Sequence, residues 1–362
     1  MSYFDEACGR ARGLCALLGT ARPMLNAPMR EAAGPELVAA VSEAGGLGVI
    51  PAADMTPDEI TAFGEAVRKL TEKPFAVNLR PEQTVAHKPE DLAAVGEALE
   101  FVYDDLGLPH WEALAAARPA DAFYPDYFAQ FDAALALRPA AMISSFGGFR
   151  EPEAERLEAL GIRHVGTATT LKEAKVLRAA VAEAIIVQGA EAAGPRASFE
   201  DADDTMMGLS ALVPAVARAT GLPVIAAGGV CGAAQAAGLA VAGASGFVLG
   251  TALVGTEESR APGAHRWCAV HGVGSDTVTT RLFSGRTERV YRTGLVEALE
   301  HLEDRTAPWP GPEALFAPLF RAAAAAGRDE LLVFRVGQSA GRSAFAKVED
   351  AVRTVSSWIP GE

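Results

Sequence analysis

Residues 219–256 read ATGLPVIAAGGVCGAAQAAGLAVAGASGFVLGTALVGT and carry no charge anywhere. An uncharged run of that length could cross a bilayer. Its punctuation argues otherwise, because Pro223 and glycines such as Gly228, Gly229, Gly243 and Gly250 break it repeatedly. The segment reads better as two short apolar strands, Val224 to Ala227 and Ser245 to Leu249, joined by a small-residue helix at Ala233 to Val241. A strand that is apolar at every position is buried on both faces, as in a parallel sheet covered by helices.

The same unit recurs upstream. Short apolar runs, each ending in a turn-forming residue and each followed by a helical pattern, occur at Pro23 to Ala27, Leu47 to Ile50, Phe75 to Asn78, Ala140 to Ser144, Arg163 to Gly166 and Ala184 to Val187. With the two strands above, that makes eight β/α units and predicts a closed TIM (β/α)8 barrel. Residues 1–260 are assigned to the barrel, with an inserted helical segment at about 107–139 that holds Trp111, Tyr124, Tyr127 and Phe131. The rhythm stops after Glu257. Residues 261–362 are read as a C-terminal helical extension packing on the barrel, with an extended stretch near Thr277 to Phe283.

Composition narrows the class of function. The 362 residues are 50% hydrophobic and 22% charged, the balance of a globular enzyme. A formal net charge of −14, with no cluster of Lys or Arg, argues against nucleic acid as a partner. Cys8, Cys15, Cys231 and Cys268 form no CxxC pair, so neither a metal site nor a disulfide framework is expected. Acids at Asp5 and Glu6 and the lack of a compact apolar core at the start argue against an export signal. The expectation is a cytoplasmic enzyme without a membrane span, with a homodimer left open.

A barrel enzyme carries its chemistry at the C-terminal ends of its strands. Strands seven and eight end in Gly228-Gly229 and Gly250-Thr251. Barrels commonly hold a phosphate between these two loops, where glycine lets backbone N–H groups approach the oxygens. The plainer alternative is that these glycines only make tight turns. Two other strand ends bear amides, Asn78 and Gln188, which can both donate to and accept from the edge of a heteroaromatic ring. Together these features suggest flavin mononucleotide, and NAD less so, since no GxGxxG opens a helix where it should.

Motif order across the chain strengthens this reading. Ala27-Pro28-Met29, Ala76-Val77-Asn78-Leu79, Ser144-Ser145-Phe146-Gly147, Gln188-Gly189-Ala190-Glu191, Ala226-Ala227-Gly228-Gly229-Val230, Gly250-Thr251 and Gly337-Gln338-Ser339-Ala340-Gly341 follow one another. The set resembles the nitronate monooxygenase (2-nitropropane dioxygenase) family. The resemblance implies a TIM barrel that binds FMN non-covalently, with flavin contacts from Ala27, Pro28, Met29, Asn78, Gln188, Ala193, Gly228, Gly229, Gly250 and Thr251. It implies oxidation of a small carbon acid or nitronate anion with O2. FMN-dependent enoyl reductases share the layout, so reduction of an enoyl or quinone-like substrate by NAD(P)H is the alternative. A flavin-binding protein with reduced or altered catalysis is the third.

One position departs from the family pattern. After Gln188-Gly189-Ala190-Glu191 the family motif continues to a glycine pair and a histidine, whereas this chain has Ala193, Gly194 and then Pro195. Proline offers neither a titratable side chain nor a backbone donor. Three residues are candidates for catalysis in its place. Arg196 could stabilise an anion, His164 is the histidine assigned to a barrel strand, and Glu191 is a carboxylate on the same loop as Pro195. Each has a structural alternative: a loop arginine, a satisfied core histidine and a motif carboxylate that shapes the loop. The acidic run Glu200 to Asp204 is read as a solvated lid segment rather than a metal cage.

Overall fold

The computed structural model describes residues 2–82, 87–118, 123–342 and 344–360. Its strands are β1 (Met24–Asn26), β2 (Gly48–Pro51), β3 (Phe75–Leu79), β4 (Ala141–Ser144), β5 (Arg163–Ala168), β6 (Ala184–Gln188), β7 (Gly194–Pro195), β8 (Val224–Ala227), β9 (Gly246–Leu249), β10 (Thr277–Thr280) and β11 (Glu288–Tyr291). Eight of them form one parallel sheet in the order β1-β9-β8-β6-β5-β4-β3-β2. The ends meet through a parallel bridge between Leu25 and Leu47, whose N–H donates to the Met24 carbonyl at 2.8 Å. The fold is a TIM barrel.

Strand periodicity divides the core in two. Leu25, Val49, Ile143, Val165, Ile186, Ile225 and Val248 point inward and pack on one another. Their neighbours in sequence, such as Met24, Ile50, Met142, Ile185 and Phe247, point outward into the layer shared with the helices. The N-terminal helix Tyr3–Leu18 sends Leu14 and Leu18 into the inner cluster. Its start is a capping box in which Ser2 and Asp5 satisfy each other's backbone. The sequence reading used Asp5 and Glu6 only to argue against export and missed this helix.

Two long segments lie differently from the sequence expectation. Between β3 and β4, the helix Tyr127–Ala136 belongs to the barrel wall, with Phe131 and Ala134 in the outer cluster beside Phe63 and Phe75. The stretch Pro89–Ala116 forms the lobe instead, and its Leu99, Tyr103 and Trp111 share a second core with Phe283, Leu295, Phe316 and Leu319 of the C-terminal region. The inserted lobe therefore begins before residue 107 and overlaps only the first part of the expected 107–139 segment. After β9 the helix Thr251–Val254 is only one turn long, and the helix Val348–Ser356 fills the ring between Pro35–Glu43 and Ala233–Ala242. Residues beyond 260 thus complete the barrel wall as well as pack on it.

A small antiparallel sheet, β10-β11-β7, pins the loop after β6 to the extension, with Pro195 opposite Glu288 and Gly194 opposite Arg289. The extended stretch expected near Thr277 to Phe283 contains β10, whereas the two-residue β7 has no periodicity to read and its pairing left no signal in the sequence. Among the described residues, no helix is long and apolar enough to cross a membrane.

Candidate active site

At the C-terminal mouth of the barrel lies a cavity of about 950 Å³. Ala27, Pro28, Met29, Asn78, Gln188, Ala193, Gly228, Gly229, Gly250 and Thr251 all line it. Parallel strands bring them together, because each strand end delivers its loop to the same rim.

The turn after β8 has room for an anion and little room for side chains. Gly228 and Gly229 have φ values of 136° and 65°. A Cβ on Gly228 would stand 3.0 Å from the Ala192 nitrogen, and one on Gly229 would stand 3.2 Å from Glu191 Cβ. Glycine is needed here both by conformation and by proximity. Among the described residues, no chain acceptor takes the N–H of Gly228, Gly229 or Gly250. Thr251 Oγ1 accepts the Gly337 N–H at 2.9 Å, which leaves its own hydrogen to donate. These donors suit a phosphate, so the cradle fits the terminal group of a flavin nucleotide.

The two amides are held differently. Asn78 donates from Nδ2 to Ser145 Oγ at 2.7 Å, which fixes its orientation and leaves Oδ1 to accept a further bond. Gln188 clasps the next loop, donating from Nε2 to the Pro195 carbonyl at 3.0 Å and accepting the Ala197 N–H at 2.7 Å. Pro195 faces the cavity, held there by Gln188 on one side and by β11 on the other.

None of the three catalytic candidates lines the cavity. Arg196 is fully buried, its Nε 2.7 Å from Asp204 and its terminal nitrogen 2.6 Å from the Gly189 carbonyl. It ties the loop down and has no free face for a substrate. The same pair removes Asp204 from the solvated acidic segment that the sequence suggested, and Asp201 accepts from the Thr287 N–H at 3.0 Å. His164 points outward from β5, with its ring 4.9 Å from that of Phe149 and Nε2 3.4 Å from Ser144 Oγ. Burial pulls its pKa down to about 4, so it is neutral at pH 7. Glu191 accepts the Leu209 N–H at 3.0 Å and so caps the helix Leu209–Thr220.

The cavity carries other charges that the sequence did not single out. Asp54 Oδ1 is 2.6 Å from Arg80, whose guanidinium lies 3.8 Å from the centre of the Tyr124 ring and 5.2 Å from that of Trp309. Burial opposes the Asp54 charge, yet Arg80, Arg30 and Arg118 together hold its carboxyl below the ordinary value. Tyr124 donates to Glu313 Oε1 at 3.2 Å. Burial, followed by the Asp54 charge, pushes the Glu313 carboxyl up to about 7, against the pull of Arg80, Arg118 and Arg335. Arg80 was visible as the third residue of the Asn78-Leu79-Arg80 strand end. Glu313 opens a helix in the extension and had no local signal.

Comparison with known proteins agrees with this geometry. The profile of the nitronate monooxygenase family matches residues 12–352. A nitronate monooxygenase of Paraburkholderia phytofirmans is 36% identical over 286 residues, covering 77% of this chain and 75% of its own length. A probable nitronate monooxygenase of Staphylococcus aureus is 29% identical over 330 residues, covering 90% of this chain and 91% of its own. Among solved structures, a nitroalkane oxidase from Streptomyces ansochromogenes superposes with a TM-score of 0.84 at 29% identity, over 95% of this chain and 97% of that one. FabK from Thermotoga maritima superposes with a TM-score of 0.72 at 25% identity, over 96% of this chain and 95% of that one.

Proposed function

This chain belongs to the nitronate monooxygenase family and is a flavin-dependent oxidoreductase, and from that premise we propose that it binds FMN and oxidises small nitronate anions with O2. The observation that carries the reading is the charge of the cavity. The protein as a whole bears −14, yet the cavity is lined by six arginines, Arg30, Arg80, Arg118, Arg260, Arg321 and Arg335, against three carboxylates, Glu31, Asp54 and Glu313. A wall of net positive charge concentrates a small anion and stabilises it away from bulk water.

The residues divide the work. Gly228, Gly229, Gly250 and Thr251 would hold the phosphate through backbone and hydroxyl donors. Asn78 would meet the polar edge of the ring, joined by whatever bonding capacity Gln188 keeps beyond its clasp on the next loop, and Ala27, Pro28, Met29 and Ala193 would give the ring an apolar bed. FMN, when bound, supplies a two-electron acceptor that O2 can reoxidise. Arg80, braced by Asp54 and stacked on Tyr124, presents a fixed positive charge to the cavity. Neither Arg196 nor Glu191 is needed at the reacting atoms, and their part is to keep the loop that carries Pro195 in shape. His164 plays no part in the cavity.

A direct test releases the cofactor by heat and identifies it by chromatography, then measures oxygen uptake with a pre-formed alkyl nitronate. FMN in the supernatant and uptake that saturates with nitronate are expected. Absence of nitronate-dependent uptake, together with oxidation of NADH or NADPH, would replace this reading with the reductase that the likeness to FabK favours.

A further inference from the structure

A pre-formed nitronate needs no base, but a neutral nitroalkane does, and Pro195 cannot serve. We propose that Glu313 is the catalytic base of this chain, taking the acidic hydrogen from the α-carbon of a neutral nitroalkane held in the cavity. The inference rests on the function proposed above and extends it to the un-ionised form of the substrate.

Three observations on position carry it. Glu313 lines the same cavity as Asn78, Gln188 and Pro195. Its Oε1 is held by Tyr124 at 3.2 Å, which fixes the carboxyl group and leaves Oε2 with no chain partner among the described residues. The other acids of the cavity are engaged: Asp54 in its pair with Arg80 at 2.6 Å, and Glu31 with Arg335 at 3.2 Å. His265 also lines the cavity, but its Nε2 is 3.1 Å from the Arg335 carbonyl, and burial lowers its basicity.

The groups that face Glu313 come from four parts of the chain: Asp54 after β2, Arg80 after β3, Arg118 and Tyr124 from the segment before β4, and Arg335 near the C-terminus. Burial first and the Asp54 charge second oppose ionisation of Glu313 while the arginines favour it, so the carboxyl titrates near the working pH of a general base. Phe316 and Phe320 line the cavity from the same helix, about one and two turns on from Glu313. The carbon acid served here therefore carries an apolar chain or ring. In the step itself the α C–H bond breaks, its electron pair moves into the nitro group as the nitronate, and a new O–H bond forms on Glu313. No oxidant is consumed until the nitronate is oxidised.

Exchange of the α-hydrogens of 1-nitropentane with D2O, followed by NMR with oxidised holoenzyme under anaerobic conditions, reads this step separately from oxidation. The wild type should accelerate exchange over buffer, and Glu313→Gln should lose ~100-fold or more of that acceleration. Turnover of the pre-formed pentyl nitronate by the same variant should fall far less than exchange does, and an equal loss of both would overturn a role specific to proton abstraction. Retained exchange in Glu313→Gln, or no acceleration by the wild type, overturns the proposal. Should Glu313→Gln not fold, Tyr124→Phe decides: loss of the phenol donor should move the midpoint of the exchange profile to higher pH, and an unmoved midpoint overturns the proposal. Wild-type protein that exchanges the hydrogens but oxidises no nitronate sinks the function above and leaves the base standing, while the converse sinks the base alone.

Discussion

The Arg196 guanidinium and the Asp204 carboxylate stand 2.7 Å apart with almost none of either side chain reaching solvent. Removing one member of a buried pair strands the other charge, at a cost of about 3–5 kcal/mol. Arg196→Ala should therefore lower thermal stability sharply and impair flavin retention, while protein that does fold keeps most of its turnover. Thermal melts alongside kcat per bound flavin check this. A variant with the melting point of the wild type and a collapsed kcat would show that Arg196 acts in the chemistry after all.

Gly229→Ala probes the cradle. At φ 65° an alanine costs about 1–2 kcal/mol, and its methyl would press on Glu191 Cβ. Flavin affinity, titrated by fluorescence quenching, should fall by roughly tenfold or more, since 1.4 kcal/mol is a factor of ten. Unchanged affinity would mean that the phosphate sits elsewhere.

His164 predicts how stability responds to pH. Burial lowers its pKa from the ordinary 6.5 to about 4, so the unfolded chain binds a proton more readily than the folded one. Its contribution is fully present above about 6.5 and is lost as pH falls toward 4, amounting to about 3 kcal/mol at most. Denaturant midpoints measured across that window should fall with acidification, and His164→Gln should flatten the fall. An equal slope in both proteins would place the titration on other groups.

How much of this was legible in the sequence depends on whether a feature is local. The eight strands announce themselves because each is a short apolar run bounded by turn residues, and all ten residues expected around the cofactor line one cavity because strand ends must converge in a barrel. Two catalytic candidates, Arg196 and Glu191, were drawn from the neighbourhood of Pro195, and the third, His164, as the histidine on a barrel strand. The outward register of His164 and the ion pair of Arg196 keep both out of the cavity. Partners such as Asp204, eight residues away on a loop, leave no pattern. Glu313 is more remote still, reaching the cavity only because the extension folds over the barrel mouth and shares a core with the Pro89–Ala116 lobe.

Pro195→His returns an imidazole to a cavity-facing position. The Pro195 carbonyl that Gln188 grips belongs to the backbone, so the clasp survives the change. The variant should raise kcat/KM for neutral nitroalkanes above the parent, and more so when Glu313 is replaced by Gln, because two bases in one cavity are redundant and one is not. Steady-state rates for the four combinations test this, and equal effects in both backgrounds would mean that the two positions do not share a role.

The central claim is that electrons pass from a nitronate anion to the bound flavin. Anaerobic mixing of the holoenzyme with a pre-formed alkyl nitronate, followed at the visible flavin bands, tests it most directly. The account predicts rapid loss of the oxidised spectrum, restored on admitting O2, with no requirement for NADH or NADPH. A spectrum that nitronate leaves untouched, and that NADH or NADPH bleaches, would contradict it.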